Sequence, residues 1–217
     1  MAASGGAVPA TGERAVTQPS AAGDAVRPGA ARLDRSRSLL LIVDIQERLA
    51  PHVAGHAAVI ARSEALLAGA RRVGAPCLAT EHCAAGIGPL VRPLRERFGA
   101  GEIFAKTRFG AADHPEFESL VRAQDRRQLV IAGMEAHVCV LQTALGLAAG
   151  GYEVFVVGDA VGSRGARGDD RRFALERMRG AGCTIVGAET VLFEWARAGD
   201  DAAFRDVLAL AKALPPQ

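Results

Sequence analysis

The stretch Gln128-Leu-Val-Ile-Ala-Gly-Met-Glu-Ala-His-Val-Cys139-Val-Leu-Gln-Thr-Ala-Leu-Gly-Leu147 decides the architecture. It opens on a short, unbroken apolar run, the pattern of a strand covered on both faces. A longer amphipathic run follows within a few residues, so a buried strand passes directly into a helix. Unpaired N–H groups and the positive end of a helix dipole gather at such a junction, and both favour an anion. Cys139 stands there, where a thiol is most easily ionised and a nucleophile has an anion hole beside it.

From Ser38 outward the same alternation recurs. Strands are expected at Leu39 to Asp44, Pro76 to Thr80, Glu102 to Lys106, Gln128 to Ala132, Glu153 to Val157 and Thr184 to Val186. Helices are expected near His56 to Val73, Pro89 to Phe98, His114 to Gln124, Val138 to Ala149 and Asp169 to Gly180, with a terminal helical stretch from Asp200 to Leu214. This is the signature of βαβ units winding one α/β domain: a three-layer α/β/α sandwich, Rossmann-like, around a mostly parallel sheet of about six strands.

The chain has 217 residues, 49% of them hydrophobic. Residues 1–35 are rich in Ala, Gly, Pro and Ser with scattered Arg, too poor in large apolar groups to offset ordering, and are expected to form a disordered tail. Glu13, Asp24 and Asp34 argue against an organelle transit peptide, which is acid-poor. Residues 36–217, roughly 180 of them, suffice for one domain with a substantial core. The 26 basic and 24 acidic residues are interspersed and aromatics make up 5%, which speaks against a nucleic-acid surface built from a basic stripe and stacking rings. With no membrane-length apolar run, the expected partner is a small, nearly neutral molecule. Cys77, Cys83, Cys139 and Cys183 contain no C-x-x-C pair and read as free thiols in a reducing cytoplasm.

In open parallel sheets, ligands bind beyond the carboxyl ends of the strands. Three chemically active residues lie there. Asp44 ends the first apolar run, Lys106 ends Glu-Ile-Phe-Ala-Lys, and Cys139 follows the fourth. Only Lys106 and Lys212 are lysines among the 26 basic residues; a lysine kept at a strand end in so arginine-rich a chain points to a need for a compact ammonium. Each also has a plainer reading: Asp44 as the cap of a turn, Lys106 as a solvated strand end, Cys139 as a small buried hydrophobe. That plainer reading is applied to Cys77 and Cys183, which begin strands at the wrong edge, whereas Cys83 lies at the right edge and rivals Cys139. His137 would have to fold back to reach the sulfur, so it is assigned to the pocket lining or to hydrogen bonding. His52 and His56 lack the Glu of a zinc-protease helix, and Gly158-Asp-Ala-Val-Gly-Ser-Arg-Gly165 matches no phosphate-binding loop. Placement at strand ends makes Gln46, Glu81, His82 and Phe109 candidate substrate contacts.

Val43-Asp44-Ile45-Gln46, Ala105-Lys106-Thr107-Arg108-Phe109 and Gly133-Met134-Glu135-Ala136-His137-Val138-Cys139-Val140 together resemble the isochorismatase-like cysteine hydrolases, a family that includes nicotinamidases and N-carbamoylsarcosine amidases. Thr80-Glu81-His82, Gly86-Ile87-Gly88, Asp159-Ala-Val-Gly-Ser-Arg164 and Arg177-Met178-Arg179 make the isochorismatase-domain-containing proteins the most similar subgroup. The resemblance implies a catalytic triad of Asp44, Lys106 and Cys139. It also implies an oxyanion hole from the backbone N–H groups of Glu135 and Cys139, and a cis peptide between Met134 and Glu135. Thr80-Glu-His-Cys-Ala-Ala-Gly86 lacks the histidine set that holds a metal in nicotinamidases, so no metal and no cofactor are expected. Isochorismatases proper lack the cysteine, so Cys139 points away from vinyl-ether cleavage. The expected activity is hydrolysis of a small amide through a thioester acyl-enzyme. Alternatives are a catalytically silent binding or scaffold protein of the same fold, and a redox-sensing thiol paired with Cys83. The family's habit and the apolar Val207-Leu-Ala-Leu-Ala211 suggest a homo-oligomer.

Overall fold

A computed structural model describes residues 1–2, 31–165 and 169–216. Six strands, β1 (Ser38–Val43), β2 (Cys77–His82), β3 (Ile103–Lys106), β4 (Gln128–Met134), β5 (Glu153–Gly162) and β6 (Thr184–Val186), alternate with helices. The helices are α1 (His56–Val73), α2 (Ala84–Ile87), α3 (Arg92–Arg95), α4 (Pro115–Ala123), α5 (Leu141–Ala149), α6 (Asp169–Gly180), α7 (Ala188–Ala196) and α8 (Phe204–Lys212). The strands form one sheet in the order β3-β2-β1-β4-β5-β6, and every neighbouring pair is parallel.

The two-residue period of a strand separates two cores. From β1, Leu40 and Ile42 join Val130, Ala132, Leu66, Leu67 and Trp195 on the α1 and α7 side. Leu39, Leu41 and Val43 join Leu129, Ile131, Phe117, Ala144 and Met178 on the α4, α5 and α6 side. All six residues of β1 are fully enclosed, which explains why its sequence runs apolar without alternation. Helix α8 packs on α7 through Leu192, Ala196, Val207 and Ala211.

Several boundaries differ from the sequence reading, each through a contact made far along the chain. The helix expected over Pro89 to Phe98 is only Arg92–Arg95. Ahead of it, Leu90 bridges Gln46, donates its N–H to Glu81 Oε1 at 2.8 Å, and is followed by Val91 donating to the Ile45 carbonyl at 2.8 Å. Those bonds hold the segment extended. Helix α7 was not anticipated; its first turn is capped by Asp159, whose Oδ1 accepts from Ala188 N at 2.9 Å across 29 residues. It buries Trp195, whose Nε1 donates to Ser38 Oγ at 3.0 Å. Strand β5 continues past the expected end at Val157 to Gly162, because a register break between Ile131 and Gly133 of β4 lets extra β5 residues bulge out before pairing resumes at Val161.

Of the expected tail, residues 3–30 lie outside the described residues. Leu33, near its end, is buried and donates its N–H to Glu194 Oε2 at 2.7 Å. Arg35 pairs with Asp201 at 2.7 Å.

Candidate active site

The strand order puts β1 at the centre, β4 on one flank, and β2 then β3 on the other. The carboxyl ends of β1, β3 and β4 therefore supply Asp44, Lys106 and Cys139 to one edge of the sheet. Val43, Thr80 and Phe104 lie in register, and His82 stands opposite Lys106. Lys106 must reach across β2, about two strand spacings of ~4.8 Å each, to meet Asp44. It does so: Nζ lies 2.7 Å from Asp44 Oδ2, with both side chains fully buried.

A backbone feature makes this meeting possible. By strand alternation Val43 faces the core that contains Cys139, so the next residue would face away if the strand went on. Asp44 instead adopts φ 50, a left-handed conformation that Asp tolerates better than most residues. The alternation breaks there, and the carboxylate comes to Thr80, whose hydroxyl donates to Asp44 Oδ1 at 2.7 Å. Gly133 completes the arrangement from β4. Its φ is 148, and a Cβ there would stand 2.2 Å from the Val43 carbonyl oxygen.

Lys106 is held by more than its acid. Nζ donates to the carbonyls of Phe109 at 2.9 Å and Arg108 at 3.2 Å. The approach to Asp44 Oδ2 is a close ionic contact outside hydrogen-bond alignment, so that buried oxygen keeps its hydrogen-bonding capacity. Cys139 is the neighbouring thiol: both Asp44 and Lys106 act on its ionisation. The lysine side chain holds the Asp44 carboxyl group in place at this edge of the sheet.

Cys139 lies in a wide helical turn, Ala136–Val140, between β4 and α5. The sequence reading expected the helix start to ease its ionisation. In the structure burial raises the thiol pKa first, the Asp44 charge adds to this and Lys106 opposes it, with the net effect pushed up to about 12. At rest Cys139 is therefore a protonated thiol. Iodoacetamide at pH 7 should therefore label exposed Cys83 before Cys139. Labelling of Cys139 should keep accelerating as pH rises past 9, and peptide mass spectrometry with time would measure both rates.

The peptide bond between Met134 and Glu135 is cis. The buried Glu135 carboxylate receives the N–H of Arg164 at 3.1 Å and also its Nε, which ties the nucleophile turn to the end of β5. His137 Nδ1 contacts Ser163 Oγ at 3.0 Å, so this ring is committed to β5's exit. Cys77 and Cys183 are buried free thiols, and burial pushes them to about 12 and about 11.

The other candidate contacts divide. Gln46 is fully buried; its Nε2 donates to the carbonyls of His82 at 3.0 Å and of Gly88, and its Oε1 accepts from His82 N at 2.8 Å. With its amide so occupied, Gln46 fastens β1's exit to β2's exit. Glu81 likewise accepts from Leu90 N and from Arg95 Nε at 3.3 Å, and so anchors the chain ahead of α3. His82 and Phe109 form a wall beside Lys106, their ring centroids 5.1 Å apart, with Phe109 49% exposed.

Thr80 is the functional neighbour that sequence reasoning passed over. Its signal was available: it ends the expected second strand, in the place where polar residues on inner strands face the site. Among the described residues no group of three or more His, Cys, Asp or Glu side chains is placed to hold a metal ion, and no helix is long and apolar enough to cross a membrane.

A parallel α/β/α sheet with an acid, an amine and a thiol at its carboxyl edge defines the class of architecture. The description "Isochorismatase domain" fits residues 38–190, and the chain belongs to that family. It is 34% identical over 186 residues to isochorismatase domain-containing protein 1 of Danio rerio, spanning 85% of this chain and 64% of that protein. Among solved structures it resembles the MAR1 ribonuclease of Caenorhabditis elegans, with TM-score 0.79, 32% identity, and coverage of 86% and 95% of the two chains. It also resembles two YcaC proteins. One is an octameric hydrolase of unknown specificity from Escherichia coli, with TM-score 0.77, 30% identity and coverage of 83% and 90%. The other, from Pseudomonas aeruginosa, was solved with hexane-2,5-diol and covalent acrylamide, with TM-score 0.77, 31% identity and coverage of 83% and 91%.

Proposed function

We propose that the protein is a cysteine hydrolase that cleaves the C–N bond of a small amide through a thioester. The observation that carries this reading is the buried contact of Lys106 Nζ with Asp44 Oδ2 at 2.7 Å, with the Cys139 thiol electrostatically coupled to both groups. Asp44 accepts the Cys139 proton as sulfur attacks the amide carbon, and Lys106 balances the negative charge that accumulates. The oxygen of the tetrahedral intermediate is received by the backbone N–H groups of Glu135 and Cys139. Asp44 then gives its proton to the departing nitrogen, the C–N bond breaks, and ammonia or an amine leaves. In the second half Asp44 takes a proton from water, the hydroxide attacks the thioester, and the acid departs with sulfur reprotonated.

The covalent acrylamide in the P. aeruginosa relative, a small primary amide, supports access of molecules of this size to a nucleophile in this fold. The octamer of the E. coli relative supports a homo-oligomer here. Four free cysteines suit a reducing cytoplasm. RNA cleavage, the activity in the name of the C. elegans relative, calls for a charged groove with stacking rings. A triad with two members fully enclosed and Cys139 only 6% exposed favours a compact substrate instead.

The test is ammonia release from a panel of small primary amides, with mass spectrometry of acyl-Cys139. Cys139→Ser should lower turnover by about 1000-fold or more and leave thermal unfolding nearly unchanged. Undiminished turnover would overturn the scheme. Amide binding without turnover would mark a binding protein, and diamide-driven joining of Cys83 to Cys139 a redox sensor.

A further inference from the structure

His82 sits on β2 two residues beyond Thr80, on the same strand face, and opposite Lys106. Its Nδ1 is buried and has no hydrogen-bond partner, an arrangement that folding alone disfavours because an unsatisfied polar atom costs free energy. The neighbouring Arg108 main chain raises the ring's pKa. Burial and the charge of Lys106, in that order, lower it more, so the net shift is downward and the imidazole is neutral near pH 7. A neutral ring that donates from Nε2 carries its lone pair on Nδ1. That leaves a fixed acceptor beside Lys106, backed by the Phe109 ring at 5.1 Å.

Resting on the amide-hydrolase reading, we infer that His82 is a specificity-determining residue: its Nδ1 accepts a hydrogen bond from the substrate's N–H, while His82 and Phe109 together flank a small planar carboxamide. The preference is for primary or secondary amides over esters of the same acyl group. Lys106 serves poorly in this role, because an ammonium has donors and no acceptor, and its donors already face Asp44, Arg108 and Phe109. An ester lacks the N–H and leaves Nδ1 unmatched, the situation in which a polar site discriminates most strongly.

Two probes of matched shape test this on the intact chain without requiring turnover. Acrylamide and methyl acrylate each alkylate a thiol: sulfur bonds to the terminal carbon, and the thiol proton is delivered to the carbon next to the carbonyl. Adduct formation at Cys139 is followed by mass spectrometry against probe concentration. The wild-type chain should saturate with acrylamide at a lower concentration than with methyl acrylate. His82→Phe keeps an aromatic wall and removes the acceptor. It should raise the half-saturating acrylamide concentration about 10- to 100-fold, with a much smaller shift in the methyl acrylate curve. His82→Asn, which restores a carbonyl acceptor, should recover part of the loss. Equal effects of His82→Phe on both probes, or none on either, would overturn the inference even if amide hydrolysis is found. A selective effect without any thioester or ammonia would uphold the recognition role and reject the hydrolytic step.

Discussion

Asp44→Asn is expected to lower amide turnover by about 100- to 10,000-fold, the usual weight of a positioned acid–base group, and at the same time to make Cys139 easier to alkylate. The two effects move in opposite directions for one reason. Burial first holds the thiol up near 12, the Asp44 charge adds to this, and Lys106 pulls it down. Removing the carboxylate leaves burial opposed by the ammonium, so the thiol ionises more readily than in the parent. Asn retains an oxygen for the Thr80 hydroxyl, which donates at 2.7 Å in the parent, and the Lys106 bonds to the Arg108 and Phe109 carbonyls persist. Breaking a buried ion pair commonly costs about 3–5 kcal/mol, so the variant should fold with a lowered Tm. Iodoacetamide labelling at pH 8, run beside an ammonia assay, reads both consequences. If Cys139 reacts no faster, the carboxylate does not face the sulfur, and if turnover persists, Asp44 is not the base.

Gly133→Ala carries the largest expected loss of stability. The new methyl would lie 2.2 Å from the Val43 carbonyl oxygen and 2.8 Å from its nitrogen and Cβ, and these are mostly main-chain atoms of the central strand. The φ of 148 is itself foreign to residues with a Cβ. Relief requires prising β4 from β1 where the two strands deliver Cys139 and Asp44. A loss above about 4 kcal/mol is expected, which for a chain of this size lowers Tm by roughly 8–16 °C, with activity falling alongside. Gly180→Ala is the control, because nothing lies within 4 Å of the added carbon and no left-handed angle is needed; it should be neutral or slightly stabilising. Comparable melting of the two variants would show that the close approach of Gly133 to Val43 is not needed.

The sequence was informative wherever one interaction range dominates. Apolar runs such as Leu39 to Val43 and Leu129 to Ala132 announce buried parallel strands because burial on both faces removes polar alternation. The polar residues closing those runs, Asp44 and Lys106, were visible as site candidates for the same reason. Gln46 and Glu81 were chosen on the same placement, yet their polar atoms are taken up by Leu90, Gly88 and His82. Nothing local in the sequence distinguishes a strand-end side chain that faces a ligand from one that staples a loop.

Residue order and side-chain type alone determined the layered α/β class and the edge of the sheet at which Asp44, Lys106 and Cys139 fall. Tertiary structure decided how those groups are held and how each affects the others. The left-handed turn at Asp44 brings its carboxylate to the Thr80 and Lys106 side, the glycine contact at Gly133 lets β4 come against β1, and burial sets Cys139 to a protonated resting state rather than the ready thiolate its place at a helix start suggests. The division has a physical basis: apolar periodicity is written in neighbouring residues, whereas desolvation and charge coupling depend on atoms that meet only after Asp44, Lys106 and Cys139, up to 95 residues apart in the chain, are brought to the same edge.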